Sequence, residues 1–382
     1  MKKLLVILSL AFSFVGGSVF ASPSLIPAPP QLSASSYILM DAYTGDVLVE
    51  HNADEALPPA SLTKLMTAYI VEYELARGNL SIDDKVTVSE KAWRMEGSRM
   101  FIREGTQVSV EDLLRGIIIQ SGNDASVAAA EYIAGSESAF ADLMNQHAQL
   151  LGMTNTHFVN STGFPADDHY SSAHDLAKIS RATILQFPEN YTMYAEKEFT
   201  YNNIRQPNRN RLLWRDKTVD GLKTGHTEAA GYCLAASAVR NGTRLITVVM
   251  GTKSDEARAA EAQKLLDYGF RYYETRKLYS RGQVVNNARV WGGNQSSVKV
   301  GFAEDVLVTM PRQQGESIPA TLDMKKELIA PIAVGDVLGN IIVGTEGNVL
   351  LERPVVALEA VEEGGFFKRI FDKIKLFFMN LF

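Results

Sequence analysis

Apolar residues recur every three or four positions after residue 60, which is the spacing of one face of an α-helix. Pro58 and Pro59 come immediately before this pattern, and proline is excluded from a helix interior because it lacks the amide N–H. The pattern therefore predicts a helix that begins near Ser61, with Ser61 in its first turn. Its apolar positions are Leu62, Leu65, Met66, Tyr69, Ile70 and Tyr73.

Short apolar runs of strand type occur in two pairs. Residues 37–40 and 47–50 form the first pair, and residues 232–239 and 245–251 form the second around an Asn-Gly turn. A helical stretch follows at residues 256–273. Helices before and after antiparallel strands predict an α/β (α+β) domain in which helices flank an antiparallel sheet.

Two helices are predicted on either side of Ser121-Gly122-Asn123. Ser109 and the acidic residues after it resemble a capping box, which opens a helix that continues through residues 113–119 to Ser121. The alanine-rich run at residues 125–134 forms the next helix. Residues 155–170 are polar and contain a Gly-Phe-Pro sequence, so they predict a long surface loop.

From about residue 281 the chain changes to short β-rich runs separated by Gly, Pro and Asn, which predicts a small all-β second domain. A chain of 382 residues is long enough for two domains with separate cores. We expect the first domain at residues 36–277 and the all-β domain at residues 278–361. The strand-like runs are residues 298–300, 306–310, 328–332, 340–343 and 349–351.

Residues 366–382 have the pattern of an amphipathic helix that follows the break at Gly364-Gly365. The segment is too short and too charged to span a bilayer, but large aromatics beside basic residues are typical of a helix lying in an anionic membrane surface. The alternative is a tail helix that packs on the protein's own core, because exposed aromatics favour aggregation. The apolar face contains Phe367, Ile370, Phe371, Ile374, Phe377, Phe378 and Leu381, and the polar side contains Lys368, Arg369, Asp372, Lys373 and Lys375.

Residues 1–21 have the pattern of a cleaved secretory signal, with a basic start at Lys2-Lys3, an apolar run and small residues ending at Ala21. A transmembrane anchor is the weaker interpretation, because the apolar run is short and is interrupted by Gly16-Gly17. We therefore expect export. Residues 22–35 are rich in Pro, Ser and Ala and predict a linker.

Composition excludes several functions. The net charge of −6 does not indicate nucleic-acid binding, which is typical of basic proteins. Cys233 is the only cysteine, so no internal disulfide is possible. A Cys/His hydrolase built on Cys233 is an alternative, but free cysteines are commonly buried structural residues. The histidines are scattered without metal-ligand spacing, so neither a metal nor a cofactor is predicted.

Ser61 and Lys64 place a hydroxyl and an amine one helical turn apart on the same face. The first turn of a helix carries free N–H groups and the positive end of the dipole, which suits a serine that becomes an oxyanion. An ordinary lysine, with a pKa of about 10.4, is protonated at neutral pH, but burial favours the neutral amine. Ser-x-x-Lys is therefore a candidate self-activating nucleophile. On this motif alone, an N-cap serine followed by a solvated lysine is the alternative.

Two further motifs follow in order. Ser121-Gly122-Asn123 lies in the predicted turn between helices, and Lys223-Thr224-Gly225 stands just ahead of the strand-like run at residues 232–239. Each motif is weak alone, but the ordered set resembles the signature of the penicillin-binding proteins and serine β-lactamases.

More closely, the chain from about residue 36 to its C-terminus resembles the D-alanyl-D-alanine carboxypeptidases of the low-molecular-mass penicillin-binding proteins, type 5. The resemblance also covers the stretches GMTNTHF at residues 152–158 and DGLKTGHT at residues 220–227, the tail domain and the terminal helix. It implies a penicillin-recognising serine acyl-transferase fold and a periplasmic location at the inner membrane. It also implies removal of the last D-Ala from peptidoglycan pentapeptides, and covalent inhibition by β-lactam antibiotics.

The resemblance implies a role for each motif residue. Ser61 is the acylated nucleophile, Lys64 is the general base, and Ser121 passes a proton to the leaving D-Ala amine. Asn123 binds the substrate amide. Lys223 holds Lys64 neutral, for which repulsion between two ammonium groups is a physical reason.

The remaining implied residues bind substrate. Thr224, beside Gly225, is expected to donate a hydrogen bond to the substrate carboxylate. The N–H groups of the nucleophile and of His226 are expected to form the oxyanion hole. Arg209 and Arg258 match arginines that the family keeps near this site, and solvated surface arginines are the alternative.

Other functions of the same motifs stay open. Class A β-lactamases carry Ser-Asp-Asn and a glutamate that drives deacylation, whereas this chain has Ser-Gly-Asn and no equivalent glutamate motif. Lasting β-lactam hydrolysis is therefore disfavoured. A D,D-endopeptidase that cuts peptide cross-links would use the same motifs, and a non-catalytic penicillin-binding sensor or scaffold would keep its acyl-enzyme.

Overall fold

The computed structural model describes residues 26–312, 319–345 and 348–379. The predicted signal at residues 1–21, residues 22–25 of the predicted linker and Leu381 lie outside these ranges. The strands of the first domain are β1 (Ser36–Asp41), β2 (Val47–His51), β3 (Lys85–Thr87), β4 (Gln107–Ser109), β5 (Glu198–Tyr201), β6 (Ile204–Pro207), β7 (Val219–Thr227), β8 (Gly231–Arg240) and β9 (Thr243–Thr252). Its α-helices are α1 (Lys64–Ala76), α2 (Glu90–Trp93), α3 (Val110–Arg115), α4 (Asn123–Ala134), α5 (Glu137–Leu150), α6 (Ala173–Gln186), α7 (Leu212–Arg215) and α8 (Asp255–Tyr272).

A five-stranded antiparallel sheet lies at the centre of the first domain, in the order β2-β1-β9-β8-β7. Both predicted hairpins are confirmed, because β1 pairs with β2 and β8 pairs with β9. The sequence pattern does not predict the edge strand β7, which contains Lys223-Thr224-Gly225 and pairs with β8. The third motif therefore lies on an edge strand, a place where an extended peptide can add by backbone hydrogen bonds.

Both faces of this sheet are buried. Successive side chains of a strand point to opposite faces, and every residue of β1 is buried. Ile38 and Met40 of β1 pack into a core shared with α1 and α3 to α6. Tyr37 and Leu39 pack on the other face, into a core shared with α8. This layering confirms the predicted sheet flanked by helices.

The predicted nucleophile helix forms in two parts. Residues Ala60–Thr63 make a 3-10 turn, and α1 begins only at Lys64. Ser61 thus lies in a tighter turn just before α1, whereas the sequence predicts it in the first α-helical turn. The predicted contact survives this difference, because residues three apart lie on the same side of a 3-10 helix.

The second domain contains a five-stranded antiparallel sheet in the order β11-β12-β16-β15-β14, and β10 pairs with β13. The all-β prediction is confirmed, and the expected boundary between residues 277 and 278 falls inside β10. The predicted strand at residues 328–332 is wrong, since these residues make only isolated bridges and contain Pro331, which has no N–H to donate. The strands are β10 (Tyr273–Tyr279), β11 (Val284–Arg289), β12 (Ser297–Gly301), β13 (Val306–Pro311), β14 (Ala320–Met324), β15 (Val337–Thr345) and β16 (Asn348–Ala357).

The chain ends in helix α9 (Phe366–Met379), which confirms the predicted tail helix over its described part. Asp372 is only 9% exposed and accepts a hydrogen bond from the Gly292 N–H at 2.9 Å, so the helix is docked on the second domain. Phe367 and Phe371 nevertheless remain 85% and 67% exposed. Within the described ranges, no helix has the length and apolar character needed to cross a membrane.

Candidate active site

Ser61 and Lys64 are in contact. The Lys64 Nζ lies 3.2 Å from the Ser61 Oγ, as the spacing of the motif predicts. Only 1% of Lys64 is exposed, so the alternative of a solvated lysine is wrong. The Ser61 hydroxyl therefore has a buried amine within reach as its proton acceptor.

Two carbonyl groups hold the Lys64 amine in place. Its Nζ donates to the Asn123 Oδ1 at 2.7 Å and to the Thr162 backbone oxygen at 2.5 Å. Carbonyl oxygens only accept hydrogen bonds, so a neutral amine uses both of its N–H groups on these two contacts. Its lone pair is then left for the Ser61 hydroxyl.

The environment of Lys64 favours this neutral form. Burial and, after it, the charge of Arg209 lower the pKa of Lys64 to about 7, while Asp124 and Glu137 act in the opposite direction. Burial and Arg209 are the main causes of the lowered pKa, and the implied contribution of Lys223 stays a prediction. Lys223 is itself buried, and burial followed by the charge of Lys64 lowers its own pKa well below the ordinary value.

Ser121 lies where the chain turns from the π-helical segment Gly116–Gln120 into α4. Its φ of 65° is in the left-handed region, which is uncommon for a residue other than glycine. The Ser121 Oγ is buried and has no hydrogen-bond partner among the described residues. A strained residue with an unused hydroxyl is typical of a functional position.

Asn123 and Asp124, at the start of α4, fasten one wall of the site. The Asn123 Nδ2 donates to the Glu96 carbonyl oxygen at 2.7 Å. Its side chain is therefore committed to Lys64 and to this wall, and its contact with the substrate amide stays a prediction. Asp124, which the motifs do not single out, accepts hydrogen bonds from the backbone N–H groups of Met100, Phe101 and Ile102.

Strand β7 brings the third motif beside the nucleophile turn. A Cβ atom on Gly225 would lie 3.0 Å from the Pro59 carbonyl oxygen and 3.3 Å from the Leu62 nitrogen, so this close approach favours glycine. The contact sets the backbone after Gly225 against the turn that carries Ser61. An oxyanion hole built from both segments requires this arrangement.

The loop at residues 155–170 is not the surface loop that the sequence predicts. Ser161 and Thr162 are buried, and only residues 164–168 form a continuous exposed tip. Gly163 has a φ of 86°, and a Cβ atom there would lie 1.9 Å from the Ala60 carbonyl oxygen. Contacts made by the main chain leave little signal in residue type, which is why the pattern does not reveal them.

A cavity of about 810 Å³ opens at the nucleophile. Seven of the ten predicted site residues line it, and the other three, Lys64, Asn123 and Lys223, are buried beneath it. The cavity thus exposes the nucleophile and binding groups, while the two lysines stay out of water. The predicted residues in the lining are Ser61, Ser121, Arg209, Thr224, Gly225, His226 and Arg258.

The two predicted arginines differ in their contacts. Arg258 is 6% exposed, donates to the Gly225 carbonyl oxygen at 3.0 Å, pairs with Asp255 and lies over the Tyr232 ring. Its alternative as a solvated surface residue is wrong. Arg209 is exposed and has neither a hydrogen bond nor an ion pair among the described residues, so its guanidinium is available to a ligand, and its role at the site stays a prediction. Asp255 and Tyr232 are lining residues that the motifs do not predict.

Two buried asparagines fix the backbone on either side of Arg209. The Asn208 Nδ2 donates to the Glu196 carbonyl oxygen at 3.0 Å, and the Asn210 Nδ2 donates to the Gly221 carbonyl oxygen at 2.8 Å. The alternating Asn-Arg-Asn sequence is the only signal of this arrangement in the chain.

Cys233 is fully buried in β8, where its thiol lies 3.5 Å from the Ala230 carbonyl oxygen. Burial raises the pKa of the Cys233 thiol to about 11, so the thiol is protonated at neutral pH. Because a cysteine nucleophile acts as the thiolate, the Cys/His hydrolase alternative is wrong.

Comparison with protein families covers both domains. The family model described as D-alanyl-D-alanine carboxypeptidase matches residues 24–254, which is more than half of the chain. This chain belongs to the D-alanyl-D-alanine carboxypeptidase family. The model for the C-terminal domain of penicillin-binding protein 5 matches residues 273–363 of this family member, starting at the first residue of β10.

Two relatives resemble this chain over nearly its whole length. It is 45% identical to D-alanyl-D-alanine carboxypeptidase DacC of Escherichia coli, covering 97% of this chain and 95% of that protein. It is 43% identical to DacA of Escherichia coli, covering 100% and 98%. Among solved structures, penicillin-binding protein 5 from Haemophilus influenzae has a TM-score of 0.83 and 42% identity, covering 88% of this chain and 100% of that chain. Penicillin-binding protein D2 from Listeria monocytogenes, in its ampicillin-bound form, has a TM-score of 0.58 and 33% identity over 63% of this chain and 98% of that chain.

Proposed function

We propose that this protein is a serine D-Ala-D-Ala carboxypeptidase that removes the terminal D-Ala from peptidoglycan pentapeptides through an acyl-enzyme on Ser61. The observation that carries the proposal is the geometry of the Lys64 amine. Carbonyl oxygens of Asn123 and Thr162 occupy two of its positions, and the third faces the Ser61 hydroxyl. An amine with a pKa of about 7 in this position is a general base directed at one hydroxyl.

In acylation, the Ser61 Oγ attacks the carbonyl carbon of the penultimate D-Ala while its proton moves to the Lys64 amine. The resulting oxyanion lies between the backbone N–H groups of Ser61 and His226. The C–N bond then breaks and the terminal D-Ala leaves as an amine, which takes the proton that Lys64 received. Ser121, whose hydroxyl has no other partner among the described residues, relays that proton.

In deacylation, Lys64 accepts a proton from the water that attacks the ester, and Ser61 recovers a proton as the C–O bond breaks. Asp255 is the one acid among the described lining residues of the cavity, and it is paired with Arg211 and Arg258. A free carboxylate comparable to the deacylating glutamate of class A β-lactamases is therefore missing from that lining. We expect β-lactams to acylate Ser61 and the resulting acyl-enzyme to be hydrolysed slowly.

Recognition of the substrate's terminal carboxylate falls to Arg209 and Thr224. Arg209 offers a planar guanidinium that can bind both carboxylate oxygens, and the Thr224 hydroxyl lines the same cavity. A site that binds a free C-terminus in this way favours a carboxypeptidase over a D,D-endopeptidase.

We also propose that the enzyme works after export, at the periplasmic face of the inner membrane. The signal-like pattern at residues 1–21 supports export. Helix α9 supports attachment, because its exposed aromatic residues lie beside Lys368, Lys373 and Lys375 and suit an anionic lipid surface.

The test of the activity is release of D-Ala from a pentapeptide, measured beside cleavage of a cross-linked peptide dimer. Faster release from the pentapeptide is the expected result, and Ser61→Ala should lose both reactions. Preferential cleavage of the dimer would favour the endopeptidase. Penicillin binding without release from either peptide would favour the sensor or scaffold.

A further inference from the structure

Glu72 is a buried acid that the proposed mechanism does not use. It lies on α1, about two turns after Lys64, and its side chain is fully buried. Neither carboxyl oxygen has a hydrogen-bond partner within the described part of the chain. Because an unpaired carboxylate is strongly disfavoured in an apolar interior, Glu72 is expected to be a neutral acid, and burial raises its pKa well above the ordinary value.

The hydroxyl of Tyr194 is the natural partner of this acid. It is close enough to the Glu72 carboxyl for each group to raise or lower the pKa of the other. The Tyr194 hydroxyl also has no partner at full hydrogen-bond geometry in the described ranges. A neutral carboxylic acid and a phenol each carry one donor and one acceptor, so a small rotation lets the two groups satisfy each other.

Tyr194 connects Glu72 to the strand that carries the third motif. It lies in the 3-10 turn Asn190–Ala195, and its ring stacks on Tyr191 with centroids 5.2 Å apart. Both tyrosines pack closely against Gly221. A Cβ atom at Gly221 would lie 2.6 Å from the Tyr191 Oη and 3.3 Å from the Tyr194 Cβ. Gly221 precedes Lys223 by two residues, and its carbonyl oxygen binds the side chain of Asn210, the neighbour of Arg209.

We propose that Glu72, as a neutral acid, and Tyr194 form a positioning pair that fixes the β7 strand of Lys223 against the α1 helix of Lys64. The inference rests on the proposed function, since it concerns the geometry of that site. Ionisation of Glu72 would draw water or a cation toward the carboxylate and displace the 3-10 turn Asn190–Ala195, called the tyrosine turn below. The strand and Arg209 would move with it, and acylation would slow.

The other titratable groups near the pair leave Glu72 as the group whose charge changes with pH. Tyr69, one turn earlier on α1, interacts with Glu72 but is a phenol whose pKa burial raises. On α5, His147 packs against the ring of Tyr69. On α6, the uncharged Gln186 accepts a hydrogen bond from the Tyr69 hydroxyl at 3.0 Å.

Charged groups on the far side of the tyrosine turn are also paired. Tyr191 donates to the Asp220 carboxylate at 2.9 Å, and Arg244 forms an ion pair with the same acid at 2.8 Å. Next to the π-helical segment Gly116–Gln120, Arg115 forms ion pairs with Glu111 and Glu196. Among the described acids near this turn, Glu72 is thus a buried one without a cationic partner, whereas Glu189, which caps the turn, is exposed.

The test compares pH profiles of wild type, Glu72→Gln and Glu74→Gln, using kcat/KM for D-Ala release and the rate of acylation by penicillin. The amide of Glu72→Gln offers N–H donors and an acceptor oxygen but cannot ionise. Glu74→Gln is the matched control, because Glu74 lies on the same helix in a solvent-exposed contact with Asn79. At neutral pH all three should be similar. At alkaline pH wild type and Glu74→Gln should fall about tenfold or more below Glu72→Gln, since misplacement of reacting groups by about 1 Å can cost roughly 100-fold.

Identical profiles for wild type and Glu72→Gln would overturn the inference while leaving the proposed function intact. A folded Glu72→Gln enzyme that is slow at neutral pH would also overturn it, because the neutral form would then be insufficient. If Glu72→Gln does not fold, Tyr194→Phe replaces it: this variant keeps the stacked ring, and it should slow acylation at neutral pH. Infrared spectra at neutral pH should show a protonated carboxyl band in wild type that Glu72→Gln lacks. Failure of the proposed function is a separate result, in which wild type releases no D-Ala at any pH.

Discussion

The backbone carbonyl oxygen of Thr162 lies 2.5 Å from the Lys64 Nζ, so a loop distant in sequence holds the candidate base. The preceding residue, Ser161, fixes this loop from two sides. Its carbonyl oxygen accepts the Thr67 hydroxyl of α1 at 2.7 Å, and its N–H donates to Glu137 of α5 at 3.1 Å. The position of the amine therefore depends on the packing of α1, α5 and the loop, in addition to the spacing of the motif.

Penicillin should form a covalent adduct on Ser61, because the lone pair of Lys64 is directed at that hydroxyl. Mass spectrometry of a penicillin-treated digest should find the antibiotic's mass on the peptide that contains Ser61. Ser121→Ala is the matched control, in which the adduct should form more slowly on the same peptide. An adduct on another peptide, with Ser61 unmodified, would reject the mechanism.

Acylation should rise with pH through about 7, the pKa to which burial lowers Lys64. Below this pKa the amine is protonated and cannot accept the Ser61 proton; above it the lone pair is free. The dependence of kcat/KM on pH measures this ionisation in the free enzyme.

Lys64→Arg tests the same residue with a group that stays protonated. It should lower the rate of acylation by roughly 100- to 10,000-fold, the usual contribution of a general base. Circular dichroism should show an unchanged fold. Near-normal acylation by this variant would mean that another group is the base.

Contacts within the first motif are predictable from the sequence because they follow from local spacing. Ser61 and Lys64 lie on one side of a helical turn whether that turn is α or 3-10. The same holds for α9, where the pattern of apolar and cationic residues fixes the face that stays exposed.

The rest of the site depends on signals that residue type does not carry. Thr162 acts through its main chain, and Ser121 through a left-handed conformation that serine rarely adopts. Strand β7 is missed because Gly221, Lys223 and Gly225 interrupt its pattern of alternating apolar residues. Each of these features is set by neighbours from other parts of the chain.

Arg209→Gln should lower kcat/KM for a pentapeptide by roughly 10- to 100-fold, because a hydrogen bond to a charged group contributes about 1.5–3 kcal/mol. The loss should be much smaller for a peptide whose terminal carboxylate is amidated. The acid limb of the pH profile should also move to higher pH, since the charge of Arg209 lowers the pKa of Lys64.

Arg205→Gln is the control for this variant, because Arg205 is also exposed and lines the same cavity but is paired with Glu198. Arg205→Gln should change neither kcat/KM for the pentapeptide nor the position of the acid limb appreciably. If wild type cleaves the amidated peptide as fast as the acid, the enzyme does not bind a free C-terminus, and the endopeptidase alternative gains support.

Removal of the chain after Glu363 should move the protein from anionic vesicles to the soluble fraction, because α9 carries the exposed apolar face. Release of D-Ala from soluble peptides should stay intact, since the cavity lies entirely in the first domain. Co-sedimentation with vesicles that contain anionic lipid measures the binding. High salt should weaken the binding of the full chain, because part of the attraction is electrostatic.

Two variants of the full chain separate the apolar face of α9 from its docking contact. Replacing both Phe367 and Phe371 by Ser removes exposed aromatic surface and should weaken vesicle binding strongly, whereas the fold should be unaffected. Asp372→Ala removes the hydrogen bond to Gly292 but leaves the apolar face intact, so it should still bind vesicles. Because docking holds the helix at a fixed angle to the second domain, Asp372→Ala should instead slow cleavage of membrane-linked pentapeptide relative to soluble pentapeptide. If the chain cut after Glu363 still sediments with vesicles, the membrane contact lies elsewhere in the protein.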